Sequence, residues 1–127
     1  IQVRPASRTV AIPVAAGEPV TLASVTLPAG SWLLDGRALI VHDGGSVFFD
    51  CTLQTSAGSV LATQAAHAGT DAAGARGIQV AVQSADAFAT STQVLFACRH
   101  PGATTGSPYA DYPNLIATRI GSVENRR

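Results

Sequence analysis

The sequence predicts an all-β fold, a two-sheet antiparallel β-sandwich of jelly-roll (Greek-key) topology with about eight strands. Three observations carry this. Apolar residues alternate with a period of two in several separate stretches. These stretches are short and closely spaced, with clusters of Gly, Pro, Ser, Asn and Asp between them. No segment has the spacing of a convincing helix.

Residues 1–8, IQVRPASR, are expected as an N-terminal arm, residues 9–123 as the single sandwich domain, and residues 124–127 as a polar tail. Thr9 to Val14 is a short β-branched run ended by Pro13, a pattern tolerated at a sheet edge. Pro19 to Leu27 alternates, but the period slips near Ala23 and Ser24, as one extra residue in a β-bulge would make it do.

The stretch Leu27 to Leu53 has the strongest pattern. It reads as two long strands joined in a hairpin by Asp43, Gly44 and Gly45. In the first strand Trp32, Leu34, Gly36, Ala38 and Ile40 share one face, and Leu33, Asp35, Arg37, Leu39 and Val41 the other. In the second, Val47, Phe49, Cys51 and Leu53 oppose a mostly polar face of Phe48, Asp50, Thr52 and Gln54.

Ser56–Ala57–Gly58 is then a turn, and Ser59 to about Ala65 a strand. The Gly-rich segment 66–77 is a loop, since its glycines disfavour a helix. Gly77–Gln83 alternates clearly; Ser84–Ser91 is a turn region; Thr92–Arg99 places Val94, Phe96 and Cys98 on one face. His100–Pro113 is the longest loop, with three prolines and two tyrosines, and Asn114–Val123 the closing strand.

A chain of 127 residues can bury one core. Eight arginines balance eight carboxylates, with no lysine. That balance lacks the basic footprint of a nucleic-acid or membrane-surface binder. No apolar run approaches a transmembrane helix, so neither nucleic acid nor membrane insertion is expected. Ile1 in first place and no methionine are what a processed chain would show.

Cys51 and Cys98 each sit within an apolar strand pattern. They read as a disulfide joining two strands in an oxidising setting, against the alternative of two buried thiols in a reducing one. An immunoglobulin sandwich fits less well: Trp32 precedes both cysteines, and Phe96 stands where a Tyr belongs.

Several segments carry a likeness to a known superfamily. LPAGSWLLDGRALI (residues 27–40) resembles a "Pro-x-Gly-x-Tyr-x-Phe" third strand with Trp32 in the aromatic place. CTLQTSAGSVLAT (51–63) resembles the fourth strand, small turn and fifth strand. GIQVAVQSADAFAT (77–90) resembles a "Leu-x-Leu-x-x-Gly-Asp-x-Val" segment, and NLIATRIGSV (114–123) the closing strand. In these respects the chain, from about Val20 to Val123, resembles the tumour-necrosis-factor and complement-globular-head jelly rolls, in a bacterial or phage form. The resemblance implies a trimer, and it makes the strands of Cys51 and Cys98 sheet neighbours.

Strand parity adds an expectation. If Trp32, Leu34 and Ile40 face inward, Leu33, Leu39 and Val41 face outward, and the closing strand has no polar face either. Large apolar patches are seldom left exposed, so this sheet is expected to be a subunit interface. Leu33, Asp35, Arg37, Leu39, Val41 and Arg119 are its candidates, with the charges paired. Cover by the N-terminal arm is the alternative.

Chemistry is sparse. His42, His67 and His100 lie at turns or loops, no Gly-x-Ser-x-Gly occurs, and the carboxylates are dispersed. No enzyme, metal site or cofactor is expected. Arg99, His100, Tyr109, Asp111 and Tyr112 are grouped around the long loop and are the ligand-contact candidates. The expected role is a non-enzymatic binding module, trimeric, located outside the cell, on a cell surface or on a virion, presenting loops to a glycan or protein. The alternative is a virion decoration or fibre-tip domain whose partner is its own capsid or fibre assembly.

Overall fold

The computed structural model describes residues 1–4, 8–12, 19–42, 47–68, 76–100 and 108–121. Within them lie nine strands: β1 (Gln2–Val3), β2 (Thr9–Ala11), β3 (Pro19–Leu27), β4 (Gly30–His42), β5 (Val47–Thr55), β6 (Val60–Ala68), β7 (Arg76–Phe88), β8 (Thr92–Arg99) and β9 (Tyr109–Ile120). All pair antiparallel. One sheet runs β1-β9-β4-β7, with β2 also on β9; the other runs β3-β8-β5-β6.

The pairing has a simple logic. Each strand pairs with the one equally far from the β5–β6 turn: β5 with β6, β4 with β7, β3 with β8, β2 with β9. The chain is one long antiparallel hairpin rolled over, and rolling brings β9 beside β4 and β8 beside β5. That is jelly-roll topology. At its tip Thr55 N–H donates to Ser59 O at 2.9 Å and Gly58 N–H to Thr55 O at 2.9 Å. Gly58 has φ +99°, a conformation that glycine adopts without Cβ strain.

The period-two faces meet in one core. Trp32, Leu34, Ile40, Phe49, Leu53 and Phe96 are all at most 5% exposed. The expected slip in β3 is a bulge between Thr21 and Ala23, so consecutive Leu22 and Ala23 are both buried. Cys51 and Cys98 face each other in register on β5 and β8 and form a buried disulfide.

Five expectations about strands and loops are corrected. The stretch 27–53 is not a hairpin: β4 and β5 lie in different sheets. Alternation states which face of a strand is buried, not which strand lies beside it. The Asp43–Gly45 turn itself lies outside the described residues. β7 continues through Ser84–Phe88, where a turn was expected, and Ser84 Oγ donates to the Asp86 carboxylate. β6 and β7 also take up residues 66–68 and 76–77 of the expected Gly-rich loop.

Finally, β9 begins at Tyr109, inside the expected loop. Tyr112 and Pro113 together oppose Ala38 alone, between the pairs Leu39–Asp111 and Arg37–Asn114. This bulge is what admits a proline within a strand. The expected arm is also partly strand: β1 and β2 pair along the outer edge of β9. The expected tail, 124–127, lies outside the described residues.

Candidate functional site

Three surfaces can be built from side chains. The first is the outer face of the β1-β9-β4-β7 sheet. Leu33 stands there 46% exposed, in register with Ala85 of β7 and Thr118 of β9. Asp35 lies between Gln83 and Ile116, and Arg37 between Ala81 and Asn114. Arg37 Nε donates to Asp35 Oδ2 at 3.0 Å and Oδ1 at 3.2 Å, so the two charges pair as expected. Leu39 is half-buried because it lies over Gly77, where a Cβ would come within 3.2 Å of Leu39 Cδ1. Val41, also half-buried, sits beside Tyr109 and Gly77. β1 and β2 extend this sheet at its edge.

Arg119, the remaining interface candidate, is not part of this face. It shares parity with buried Leu115 and Ala117 and pairs with Trp32 in register. Its guanidinium lies 4.7 Å from the Trp32 ring centroid, and its Nη2 donates to Ala29 O at 3.4 Å. Trp32 Nε1 donates to Pro28 O at 3.1 Å. Arg119 thus closes one end of the sandwich.

The second surface is the β9 bulge. Tyr112 is 59% exposed with φ +51°, in the left-handed region that costs a non-glycine residue about 1–3 kcal/mol. Arg8 holds it: the guanidinium lies 5.0 Å from the Tyr112 centroid, and Tyr112 N–H donates to Arg8 O at 2.9 Å. Asp111 pairs with Arg8 at 3.4 Å and accepts from Thr9 Oγ1 at 3.2 Å. The partnership of Arg8 with Tyr112 and Asp111 was missed in the sequence, since about a hundred residues separate them and only the β2–β9 register joins them.

The third surface is a trough of about 330 Å³ on the outer face of the β3-β8-β5-β6 sheet. Asp50, Thr52 and Gln54 of β5 line it, as their polar alternation predicted, with Thr63 of β6 and Arg99 of β8. Arg99 Nη2 meets Asp50 Oδ2 at 3.3 Å, and Thr52 Oγ1 donates to Gln54 Oε1 at 3.3 Å. Val60 and Thr63 were missed; in β6 the alternation is blurred by alanines.

The five ligand-contact candidates are therefore dispersed. Tyr109, Asp111 and Tyr112 lie along β9, with Asp111 and Tyr112 sharing Arg8. Arg99 belongs to the trough in the other sheet. His100 is 2% exposed, its ring 5.6 Å from that of Phe49 in an edge-on contact, so it packs in the core. Neighbouring Arg99 and His100 look equally polar in sequence; burial separates them, Arg99 being exposed. Among the described residues no three His, Cys, Asp or Glu side chains are grouped as metal ligands.

No protein-family model matches the sequence, and no curated protein matches it. Solved structures similar to the chain include that of the infectious bursal disease virus Gt strain. There the TM-score is 0.53 at 15% identity, over 92% of this chain and 30% of that one. The Gx strain of the same virus gives 0.49 at 16% identity, over 92% and 31%. An arabinose-bound α-L-arabinofuranosidase, MgGH51, gives 0.44 at 17%, over 91% and 23%. The Gt-strain likeness is one of fold, an all-β sandwich. This chain spans about a third of that virus chain's length.

Proposed function

We propose that this chain is a non-enzymatic recognition and assembly module, displayed outside the cell or on a particle, that self-associates as a trimer. The observation that carries the reading is the outer face of β4. Leu33 is nearly half exposed there, beside alanines of β7 and with Leu39, Val41 and Ile116 on the same side. The Asp35–Arg37 pair already neutralises the only charges that β4 presents on that face. A face of this kind is better buried against a second copy than left in water. The disulfide supports an oxidising location. The resemblance to tumour-necrosis-factor-like jelly rolls, which associate through such a sheet, supports three subunits.

A second reading is favoured by one observation. The solved fold relative at TM-score 0.53 is a virus structure, of which this chain spans 30%. On that reading the module is a structural virion part whose partner is its own assembly.

Light scattering behind a sizing column tests the first proposal. A mass of three chains, lost in Leu33→Arg while the circular dichroism spectrum is kept, supports it; a monomer overturns it. Purified particles added to the same column distinguish the second reading, since a virion part co-elutes with them.

A further inference from the structure

The trough on the outer face of the β3-β8-β5-β6 sheet has no role in self-association through the opposite sheet. We propose that it binds a neutral saccharide. The inference rests on the module being a recognition protein, and it assigns the ligand class and the site.

The volume, about 330 Å³, falls at the lower end of the roughly 300–1,000 Å³ typical of small-ligand sites. Its floor is short: Ala97 of β8 points outward, yet is only 3% exposed, because Thr21 and Thr52 flank it in register. The taller Asp50–Arg99 pair stands at one end and Gln54 with Val60 at the other.

Three features select the ligand. The charges cancel: Asp50 is already engaged by Arg99 at 3.3 Å. An anion would have to displace Asp50 from Arg99 and would be repelled by it; a cation meets the reverse problem. The polar groups include both donors and acceptors: hydroxyls on Thr52 and Thr63, the Gln54 amide, the carboxylate and the guanidinium. A polyhydroxyl compound offers donors and acceptors at each carbon, and its C–H faces can rest on Val60 and Pro19, the exposed apolar side chains of the trough. Lastly, the trough lies on a sheet face, where the backbone N–H and C=O groups of β5 and β8 are committed to the ladder. An extended peptide recognises backbone at a sheet edge, and this floor presents none.

The test uses the intact, oxidised chain with glucose, galactose, N-acetylglucosamine and their β-linked disaccharides as probes. N-acetylneuraminic acid, glucosamine and an uncharged decapeptide are the comparison arms. Amide chemical-shift changes are followed in ¹H–¹⁵N spectra. The expected result is saturable shifts at Thr52, Thr63 and Ala97 with at least one neutral sugar, and weaker ones with the charged sugars. Gln54→Ala should weaken that binding about tenfold, as loss of a hydrogen-bonded contact does. Ala97→Leu, which fills the floor, should abolish it with the rest of the spectrum unchanged.

The inference is overturned if no neutral sugar shifts these amides, if the peptide shifts them instead, or if sugar shifts fall on the Tyr112 bulge. It is separable from the trimer. Sugar binding by a monomer leaves the site standing, and a trimer that binds no sugar removes the site alone.

Discussion

Gly36 of β4 lies directly against the Phe96 ring of β8: a Cβ on Gly36 would sit 2.8 Å from both Cγ and Cδ1 of that ring. This is where the two sheets approach each other, and an absent side chain on one sheet makes room for the largest buried side chain class on the other. Gly36→Ala should therefore destabilise the fold by about 1–3 kcal/mol through overpacking. Denaturant unfolding would check it. Phe96→Leu in the Gly36→Ala background should recover part of the loss, and strict additivity of the two changes would refute the contact.

The Cys51–Cys98 disulfide closes a sequence separation of 47 residues. The chain-entropy relation gives about 4 kcal/mol for a loop of that size. The double variant Cys51→Ala, Cys98→Ala should unfold at a lower urea concentration by a corresponding amount. Because both cysteines are at most 1% exposed, reductant should act on the native chain only as fast as it opens. Free-thiol release measured against time would show this, and immediate release would contradict the burial.

Trp32 is the sole tryptophan, so its fluorescence reports on Arg119 directly. Arg119→Ala removes a cation–π contact worth about 0.5–1 kcal/mol at a partly exposed site. It also uncovers the ring, and quenching by acrylamide should rise. Gly30→Ala should disturb the same place, because a Cβ there would lie 2.7 Å from Arg119 Nη1 at a φ of +142°. Unchanged quenching in both variants would remove Arg119 from its place over the ring.

Tyr112 at φ +51° separates side-chain from backbone effects. Tyr112→Asn, which tolerates the left-handed region, should leave stability within about 1 kcal/mol of the parent, whereas β-branched Tyr112→Val should cost about 1–2 kcal/mol more. Thermal unfolding of the two variants is the comparison, and equal midpoints would speak against a strained bulge.

Leu33→Arg bears on assembly rather than folding. The side chain projects outward, so the variant should keep the parent's circular dichroism spectrum, and its unfolding midpoint should lose only what association adds to the parent. Its mass in solution should fall to that of one chain.

Much of this arrangement is legible in the residues. Period-two alternation placed Trp32, Leu34 and Ile40 inside, Leu33 and Asp35 outside, and Asp50, Thr52 and Gln54 on a polar face of the other sheet. The phase slip near Ala23 marked the β3 bulge, and Ser56–Ala57–Gly58 marked the tip of the roll. Alternation is a local consequence of which face of a strand meets water, so each strand carries it alone.

Partnership is different in kind. That β4 and β5 part into separate sheets, that Arg8 stacks on Tyr112, that Arg119 turns to Trp32 instead of joining Asp35 and Arg37 on the outer face, and that His100 is in the core all depend on register between distant strands. Pro113 misled for the same reason: a proline ends a strand unless a bulge in register with its neighbour absorbs it. By itself the sequence determined the sandwich class, the inward faces and the turn at the roll's tip, because solvent acts on each segment separately. Only the tertiary structure decided the pairing order, the disulfide's closure, the Arg119–Trp32 end cap and the trough over Ala97, because these require surfaces made by residues that the chain holds far apart.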